Sequence, residues 1–344
     1  MGKIISIEDY LNQPPGRKLF DVRTPAEYEK GHIPGAVNLP LFSDEERAIV
    51  GTLYKNAGHK AAYLKGLEFA GQKMPKSVAM ALQLAPGKKV VVHCWRGGQR
   101  SASVAMLLQF SGFDVQVLHG GYKAYRNFVL NGFFSQKLRL VILGGKTGSG
   151  KTEMLHFLRE YGEQVIDLEG LAHHKGSTFG ALGESPQPTT EQFENNLFSA
   201  LSDFNAERRI WVENESRNVG NNSIPQGFWG QMRTAKLVNV QMPFELRTER
   251  LINDYAKYPQ DEIEAALLKI ERRIGGQHVK AALEAYRSGD IHAATGIALK
   301  YYDKTYEHAT SMGQFSQVFP FEVETADARE IALKILNFAD ENAL

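Results

Sequence analysis

The sequence predicts an α/β protein: two successive parallel sheets covered by helices, the second continuing into a helical C-terminal part. Three observations carry this expectation. Short apolar runs rich in Val, Ile and Leu alternate with helix-length segments, as in sheets buried on both faces. Two of those runs end in glycine-rich loops that lead straight into a helical pattern, at Gly97-Gly98 and at Gly148-Ser149-Gly150. Between them, residues 124–136 read as a helical linker, and the strand pattern restarts at Leu138. The expected division is 1–135 and 136–344, each part long enough for its own core.

The 344 residues are 43% hydrophobic and 23% charged, the balance of a globular chain. A single cysteine, Cys94, leaves no intramolecular disulfide and suits a reducing compartment. Met1 to Tyr10 lacks the basic and apolar pattern of a signal peptide, and no apolar run approaches the ~20 residues of a membrane-spanning helix. A cytoplasmic location and no membrane partner are expected. The net charge of +1 does not advertise nucleic-acid binding and leaves room for a local basic face.

Lys18 to Arg23 reads as a short buried strand ending in charges. Two readings of Asp21 and Arg23 stand open: an ordinary strand-end ion pair of little stabilising value, or a catalytic pair. Thr24 is the cap of the next helix, with Pro25 at its first position and Glu27 three residues after the cap. Ser43 to Met74 reads as helical with breaks at Gly51, Gly58 and Gly66. The strand Lys88 to His93 then delivers Cys94 into Trp95-Arg96-Gly97-Gly98-Gln99-Arg100-Ser101, and a helix follows. A thiol at a helix N-terminus, among unpaired N–H groups and beside Arg96 and Arg100, has its thiolate favoured. The competing reading is a buried structural cysteine. Two arginines and two glycines beside it argue against burial in an apolar core. His93 precedes Cys94 on the strand, faces the other way and is a poor base, and His32 is expected in a structural hydrogen bond.

Leu138 to Leu143 is a buried-strand run that feeds Gly145 to Thr152, which satisfies G-x-x-x-x-G-K-T between a strand and a helix. Gly145, Gly148 and Gly150 let backbone N–H groups converge on phosphate oxygens, Lys151 neutralises them, and the Thr152 hydroxyl suits a magnesium ion. The motif implies phosphate binding and says nothing of hydrolysis. The adjacent His173 and His174 are not expected to hold a metal, since sequence neighbours rarely share one ion and no second cysteine exists. Arg209 to Glu215 ends where a phosphate-loop protein carries its magnesium-side carboxylate, so Glu213 and Glu215 are candidates, against a solvated strand end. Beyond Val240 the chain is helical and carries Arg247, Arg250, Lys257, Lys269, Arg272 and Arg273, then Lys300-Tyr301-Tyr302 with Lys304 and Tyr306. Bases interleaved with aromatics suit RNA phosphates and nucleobases, and solvated helix faces give the same counts.

Asp21-Val22-Arg23, Glu27-Tyr28, the stretch Gly31 to Ala36, Cys94 and Leu118-His119-Gly120-Gly121-Tyr122 resemble, in order and spacing, a rhodanese domain over about residues 1–130. Arg100 lies six residues after Cys94, one further than in the usual sulfurtransferase loop. That longer loop is similar to the C-x-x-x-x-x-R phosphate cradle of dual-specificity phosphatases. A rhodanese-like half ahead of a P-loop NTPase-like half resembles the bacterial tRNA 2-selenouridine synthases. Asp167 to Ser177, Pro186-Gln187-Pro188, Trp211 to Arg217 and Gly275-Gly276-Gln277-His278 extend that resemblance over nearly the whole chain. It implies a tRNA-modifying transferase that replaces sulfur by selenium in wobble-position 2-thiouridine. Geranyl diphosphate would first alkylate the sulfur and selenophosphate would then supply selenium. Cys94, Arg96 and Arg100 are the implied catalytic residues. Gly145, Gly148, Gly150, Lys151, Thr152 and Glu213 are the implied diphosphate site, with magnesium at Thr152. The implied partner is tRNA, and no tightly bound cofactor is expected. Two other classes stay open: an ATP-dependent sulfurtransferase with a persulfide on Cys94, and a phosphatase-like regulator.

Overall fold

A computed structural model describes residues 2–177, 179–255, 258–311 and 314–344, with the side chains of 272, 273, 305 and 308–311 outside that description. The chain falls into two units, Met1–Gly132 and Phe133–Leu344, each with cores of its own. In chain order the first carries β1 (Lys3–Ile5), α1 (Ile7–Leu11), β2 (Lys18–Asp21), α2 (Pro25–Lys30), β3 (Val37–Asn38), α3 (Asp44–Leu84), β4 (Lys89–His93), α4 (Gln99–Phe110), β5 (Asp114–Leu118) and α5 (Gly121–Ser135). Its strands pair in parallel in the order β1-β5-β4-β2-β3, so the strand before the cysteine is the central one. Val90 and Val92 of β4 meet Phe20 of β2 and Leu108 of α4 in the core, which fixes the register of the strand against the helix that follows.

Thr24 caps α2 as expected: its side chain accepts from Glu27 N–H while Glu27 reaches back to the cap N–H, with Pro25 in the first turn. Of the three breaks expected after Ser43, only Gly58 breaks the path, at φ 81° and ψ 177°. Gly51 and Gly66 run through the helix, and Gly66 lies against the Phe42 ring, where a Cβ would stand 3.4 Å from it. The helix also continues ten residues past Met74 through Pro75, to Leu84. Asp21 and Arg23 are not a surface pair. Both are fully buried, with Arg23 Nη2 2.6 Å from Asp21 Oδ2 and donating to Gly31 O at 2.7 Å, and the guanidinium stacks 3.8 Å from the Tyr122 ring centre. Burial opposes the Asp21 charge, but His93 and Arg23 outweigh it and hold the carboxyl below its usual range. Arg23 carries the permanent charge, since burial drives the His93 pKa down. A buried pair of this kind organises the strand end, and breaking it leaves an uncompensated charge.

The second unit carries β6 (Arg139–Gly145), α6 (Lys151–Glu160), β7 (Gln164–Ile166), α7 (Leu168–Ala172), α8 (Thr190–Ser202), β8 (Arg209–Glu213) and a short hairpin, β9 (Asn218–Val219) with β10 (Asn222–Ser223). It continues with α9 (Gln226–Thr234), β11 (Lys236–Gln241), α10 (Phe244–Tyr255), α11 (Gln260–Lys269), α12 (Glu271–Ile274), α13 (Gly276–Arg287), α14 (Ile291–Ser311), β12 (Gln317–Glu322) and α15 (Ala328–Glu341). The five-stranded parallel sheet has the order β12-β11-β6-β8-β7, again with the loop-bearing strand in the middle. Leu155 and Leu158 of α6 pack with Ile331 and Ile335 of α15 over Val141 and Leu143 of β6. A separate apolar cluster, with Ile263, Leu267, Ile270, Val279 and Leu283, joins the helical part. Among the described residues no helix is long and apolar enough to cross a membrane.

Candidate active site

The apolar run of β4 pulls Cys94 inward further than its flanking charges suggest. The thiol is 3% exposed and packs with Phe20, Val92 and Val104, so the expectation that two arginines keep it out of an apolar core is overturned. The arginines point elsewhere. Arg96 has an exposed side chain and offers the sulfur its backbone N–H, while Arg100 makes a two-pronged pair with Glu27, at 2.6 and 3.2 Å. Ser101 closes on the sulfur from the first turn of α4: its Oγ lies 3.3 Å from Cys94 Sγ and donates to Gly98 O at 3.0 Å. Burial pushes the thiol pKa up, but the Ser101 hydroxyl and N–H, the Arg100 charge and the Arg96 N–H outweigh it and hold the thiol below its ordinary value. The loop is pressed against the start of α5: a Cβ on Gly121, at φ 59°, would stand 2.3 Å from Cys94 O, so only glycine fits there. His93 faces away from the thiol, its Nε2 3.8 Å from Asp21 Oδ2, and His32 Nδ1 donates to Tyr28 O at 3.0 Å and its ring stacks on that of Tyr28.

In the second unit β6 ends at Gly145 and α6 begins at Lys151, with Gly150 as its left-handed cap beneath the Arg250 guanidinium. Lys151 Nζ donates to Gly145 O at 3.0 Å. Gly148 lies beside the Arg247 carbonyl and the Leu251 side chain. Ser149 Oγ is fully buried and lacks a hydrogen-bond partner. Thr152 Oγ1 donates to Glu169 Oε2 at 2.8 Å, and the Glu169 N–H donates to Glu213 Oε1, also at 2.8 Å. Glu213 is fully buried at the end of β8, which overturns the solvated-strand-end reading, and its Oε2 has no partner. Burial, with the charges of Asp167 and Glu169, raises its pKa well above the usual carboxylate range. Burial and Glu169 likewise push Glu215 up to about 8.

Several cations expected to face solvent do not. Arg247 is buried and holds Asp303 with both terminal nitrogens at 2.7 Å, together with Thr147 O at 3.1 Å. Arg250 pairs with Glu153 at 2.6 Å and donates to Ala326 O at 2.9 Å. The Tyr306 hydroxyl accepts from Gly145 N–H at 2.7 Å and donates to Asn239 Oδ1 at 2.8 Å, so it supports the phosphate loop. Lys269, Lys300 and Lys304 are exposed, whereas Lys257 and the side chains of Arg272 and Arg273 lie outside the described residues. His173 Nδ1 bonds Pro186 O at 2.9 Å, and no group of three or more His, Cys, Asp or Glu among the described residues is arranged to hold a metal.

A cavity of about 140 Å³ opens beside the phosphate loop, from Thr147 and Ser177 into a lining that includes Tyr255, Leu267, Ala298 and Leu299. Sequence reasoning did not foresee it. Glu27, Ser101, Glu169 and Tyr306 were missed as partners too. For Ser101 alone a local signal existed, a hydroxyl in the first turn of the helix after the cysteine.

A cysteine held in an N–H-lined loop of one parallel sheet, ahead of a phosphate loop on a second, defines a rhodanese-like domain fused to a P-loop domain. A family model described as rhodanese-like domain matches residues 6–128, and one described as tRNA 2-selenouridine synthase AAA domain matches residues 138–330. Curated relatives named tRNA 2-selenouridine synthase include one from Shewanella frigidimarina, 34% identical over 85% of this chain and 77% of its own length. Another, from Serratia proteamaculans, is 34% identical over 92% of each chain, and one from Bdellovibrio bacteriovorus is 40% identical over 69% of this chain and 64% of its own. The chain belongs to the tRNA 2-selenouridine synthase family and is an enzyme of that kind.

Proposed function

We propose that the chain replaces the sulfur of wobble-position 2-thiouridine in tRNA by selenium, in two steps that use its two loops separately. The thiocarbonyl sulfur is a poor leaving group at C2 of the pyrimidine. In the first step that sulfur attacks C1 of geranyl diphosphate: an S–C bond forms, the C–O bond breaks, and diphosphate departs with the electron pair. Gly145, Gly148 and Gly150 let the loop N–H groups take the departing charge, and Lys151 exchanges its bond to Gly145 O for a phosphate oxygen. The observation that carries the prenyl donor is the cavity that begins at Thr147: its lining is largely apolar and suits a hydrocarbon chain better than a purine.

The oxygen donors beside the loop fit magnesium. Glu213 has an orphaned buried oxygen, Thr152 offers a hydroxyl, and Glu169 joins the two, a set typical of an ion that takes one or two carboxylates and completes its shell with water and phosphate. When bound, magnesium supplies positive charge at the diphosphate.

In the second step selenophosphate enters the Cys94 loop and the Cys94 thiolate takes its phosphoryl group: an S–P bond forms, the Se–P bond breaks, and selenium leaves at the selenide level to add at C2 as the geranyl thiol departs, after which water cleaves the S–P bond and frees phosphate and the thiolate. The Arg96 and Ser101 N–H groups favour an anion there, and Arg100 joins them when it releases Glu27. The test separates the steps. Cys94→Ala should still form S-geranyl tRNA from geranyl diphosphate and fail to form the selenium product, while Lys151→Ala should lose at least about a hundredfold in prenyl transfer. Full selenation by Cys94→Ala removes the thiolate from the mechanism. Undiminished prenyl transfer by Lys151→Ala assigns the phosphate loop to another substrate.

A further inference from the structure

Beside the thiol loop stands a row of rings that the two chemical steps do not use. On either side of the Gly58 turn in α3, Tyr54 and His59 meet edge-on at 6.2 Å between centres, and His59 and Tyr63 stack at 6.0 Å with 11° between their planes. All three are exposed, Tyr54 by 60% and Tyr63 by 47%, so their area is not spent on the core of the unit. His59 Nε2 lies 3.2 Å from Nε2 of Gln99, a residue of the Cys94 loop that begins α4, which sets the row at the edge of the thiol site. The stretch that carries the rings is locally basic. From Arg47 to Leu67 the sequence holds Arg47, Lys55, Lys60 and Lys65 with no Asp or Glu; Lys65 is paired with Glu68 just beyond, while Lys55 and Lys60 are exposed between and beside the rings.

We propose that Tyr54, His59 and Tyr63 form a stacking platform for the unpaired bases that flank the nucleotide being modified, with Lys55 and Lys60 on the adjoining backbone phosphates. The proposal rests on the reading of the chain as a tRNA-modifying enzyme. Every base has a π-face, so rings recognise a single-stranded loop without reading its sequence, and the exposed Lys55 and Lys60 beside them favour a polyanion. A second copy of the chain fits less well, because a two-fold contact on this face would bring Lys55 and Lys60 towards their own counterparts.

The experiment measures binding of an anticodon stem–loop containing 2-thiouridine to the full-length protein. Tyr54→Ala/Tyr63→Ala should weaken binding about tenfold or more, while Tyr54→Phe/Tyr63→Phe keeps the π-faces and stays within about twofold of wild type. Lys55→Gln/Lys60→Gln should lower the slope of log affinity against log salt by about 1 to 1.5. A double alanine variant that melts like wild type and binds the stem–loop equally well overturns the platform. So does one that loses self-association and keeps its RNA affinity. Wild-type protein that binds no stem–loop at all overturns the proposed function itself, so the two failures are told apart.

Discussion

Ser101→Ala isolates what makes Cys94 a thiolate. The Ser101 hydroxyl has one proton and two acceptors within reach, Cys94 Sγ at 3.3 Å and Gly98 O at 3.0 Å. When the sulfur is charged the proton goes to it, and when the sulfur is neutral the proton returns to Gly98, so the hydroxyl stabilises the charged form selectively. A hydrogen bond to a charged group contributes about 1.5–3 kcal/mol, against much less for a neutral thiol. At 1.36 kcal/mol per factor of ten, losing it should lower the thiolate-to-thiol ratio at fixed pH about tenfold or more. Burial, the strongest influence on this thiol, would then be opposed only by the Arg96 and Ser101 N–H groups and Arg100, and the pKa rises. Titration of thiolate absorbance reads this directly, because Cys94 is the only cysteine and the signal needs no reagent to enter a buried site. Alkylation of the thiolate should speed up slightly per charged sulfur, since nucleophilicity rises with pKa, and so the overall rate falls by less than the ratio. A titration midpoint that stays put or moves down would refute the reasoning and leave the N–H groups and Arg100 as the whole cause.

Three further outcomes follow from the second unit. Arg247→Met leaves Asp303 facing only the more distant Lys146, 3.9 Å away, and releases Thr147 O, which should cost about 3 kcal/mol and lower the melting temperature of the unit by roughly 10 °C. Adding Asp303→Leu should recover most of it, and an unchanged melt in the single variant would show the pair to be dispensable. The raised pKa of Glu215 has a definite sign: its folded value of about 8 lies above the unfolded value near 4.5, so its contribution to stability is complete below about 4.5 and lost as pH rises through 8. Glu215→Gln should flatten the fall in melting temperature across that window, an effect of order 1–2 kcal/mol because the half-buried carboxyl is partly screened by water; parallel curves for the two proteins would refute it. Ala298→Phe fills the cavity beside Thr147 and should raise KM for geranyl diphosphate about tenfold while leaving inorganic diphosphate binding intact; an unchanged KM would place the prenyl chain elsewhere.

What the sequence made legible was local. The Gly145 to Thr152 motif is contiguous, and its strand and helix flank it within a few residues, so its strand–loop–helix setting is legible without tertiary information. The Thr24–Glu27 cap is legible for the same reason. What escaped depends on partners far along the chain. Arg100 meets Glu27 across 73 positions and Arg247 meets Asp303 across 56, and nothing in the spacing of either arginine marks it as taken. A count of basic residues on a helix is therefore a poor guide to free charge, and the burial of Arg247 removes it from any RNA-facing surface. Gly51, Gly58 and Gly66 are equal as residues, yet only Gly58 leaves the helical path, at φ 81°, and nothing in the local sequence marks it out from the other two.

The two loops solve one problem with opposite means. Each leaves the central strand of a five-stranded parallel sheet and runs into the N-terminus of a helix, where strand ends and unpaired N–H groups favour an anion. In the second unit the proposed function puts the anion on the ligand, with Lys151 as the cation, while Ser149 Oγ and Glu213 Oε2 are buried polar atoms without a partner. In the first unit the anion is the protein's own sulfur, so under the proposed second step Arg100 must be restrained, or it would fill the cradle that the selenium donor enters. Glu27 does that, and the Arg100 pair holds its carboxyl below the usual range despite burial. Glu27→Gln should therefore free Arg100, tighten dianion binding in the Cys94 loop several-fold and slow release of the spent phosphate. Protection of Cys94 from alkylation by phosphate measures the first effect, and weaker protection in the variant would show that Glu27 positions Arg100 for the anion.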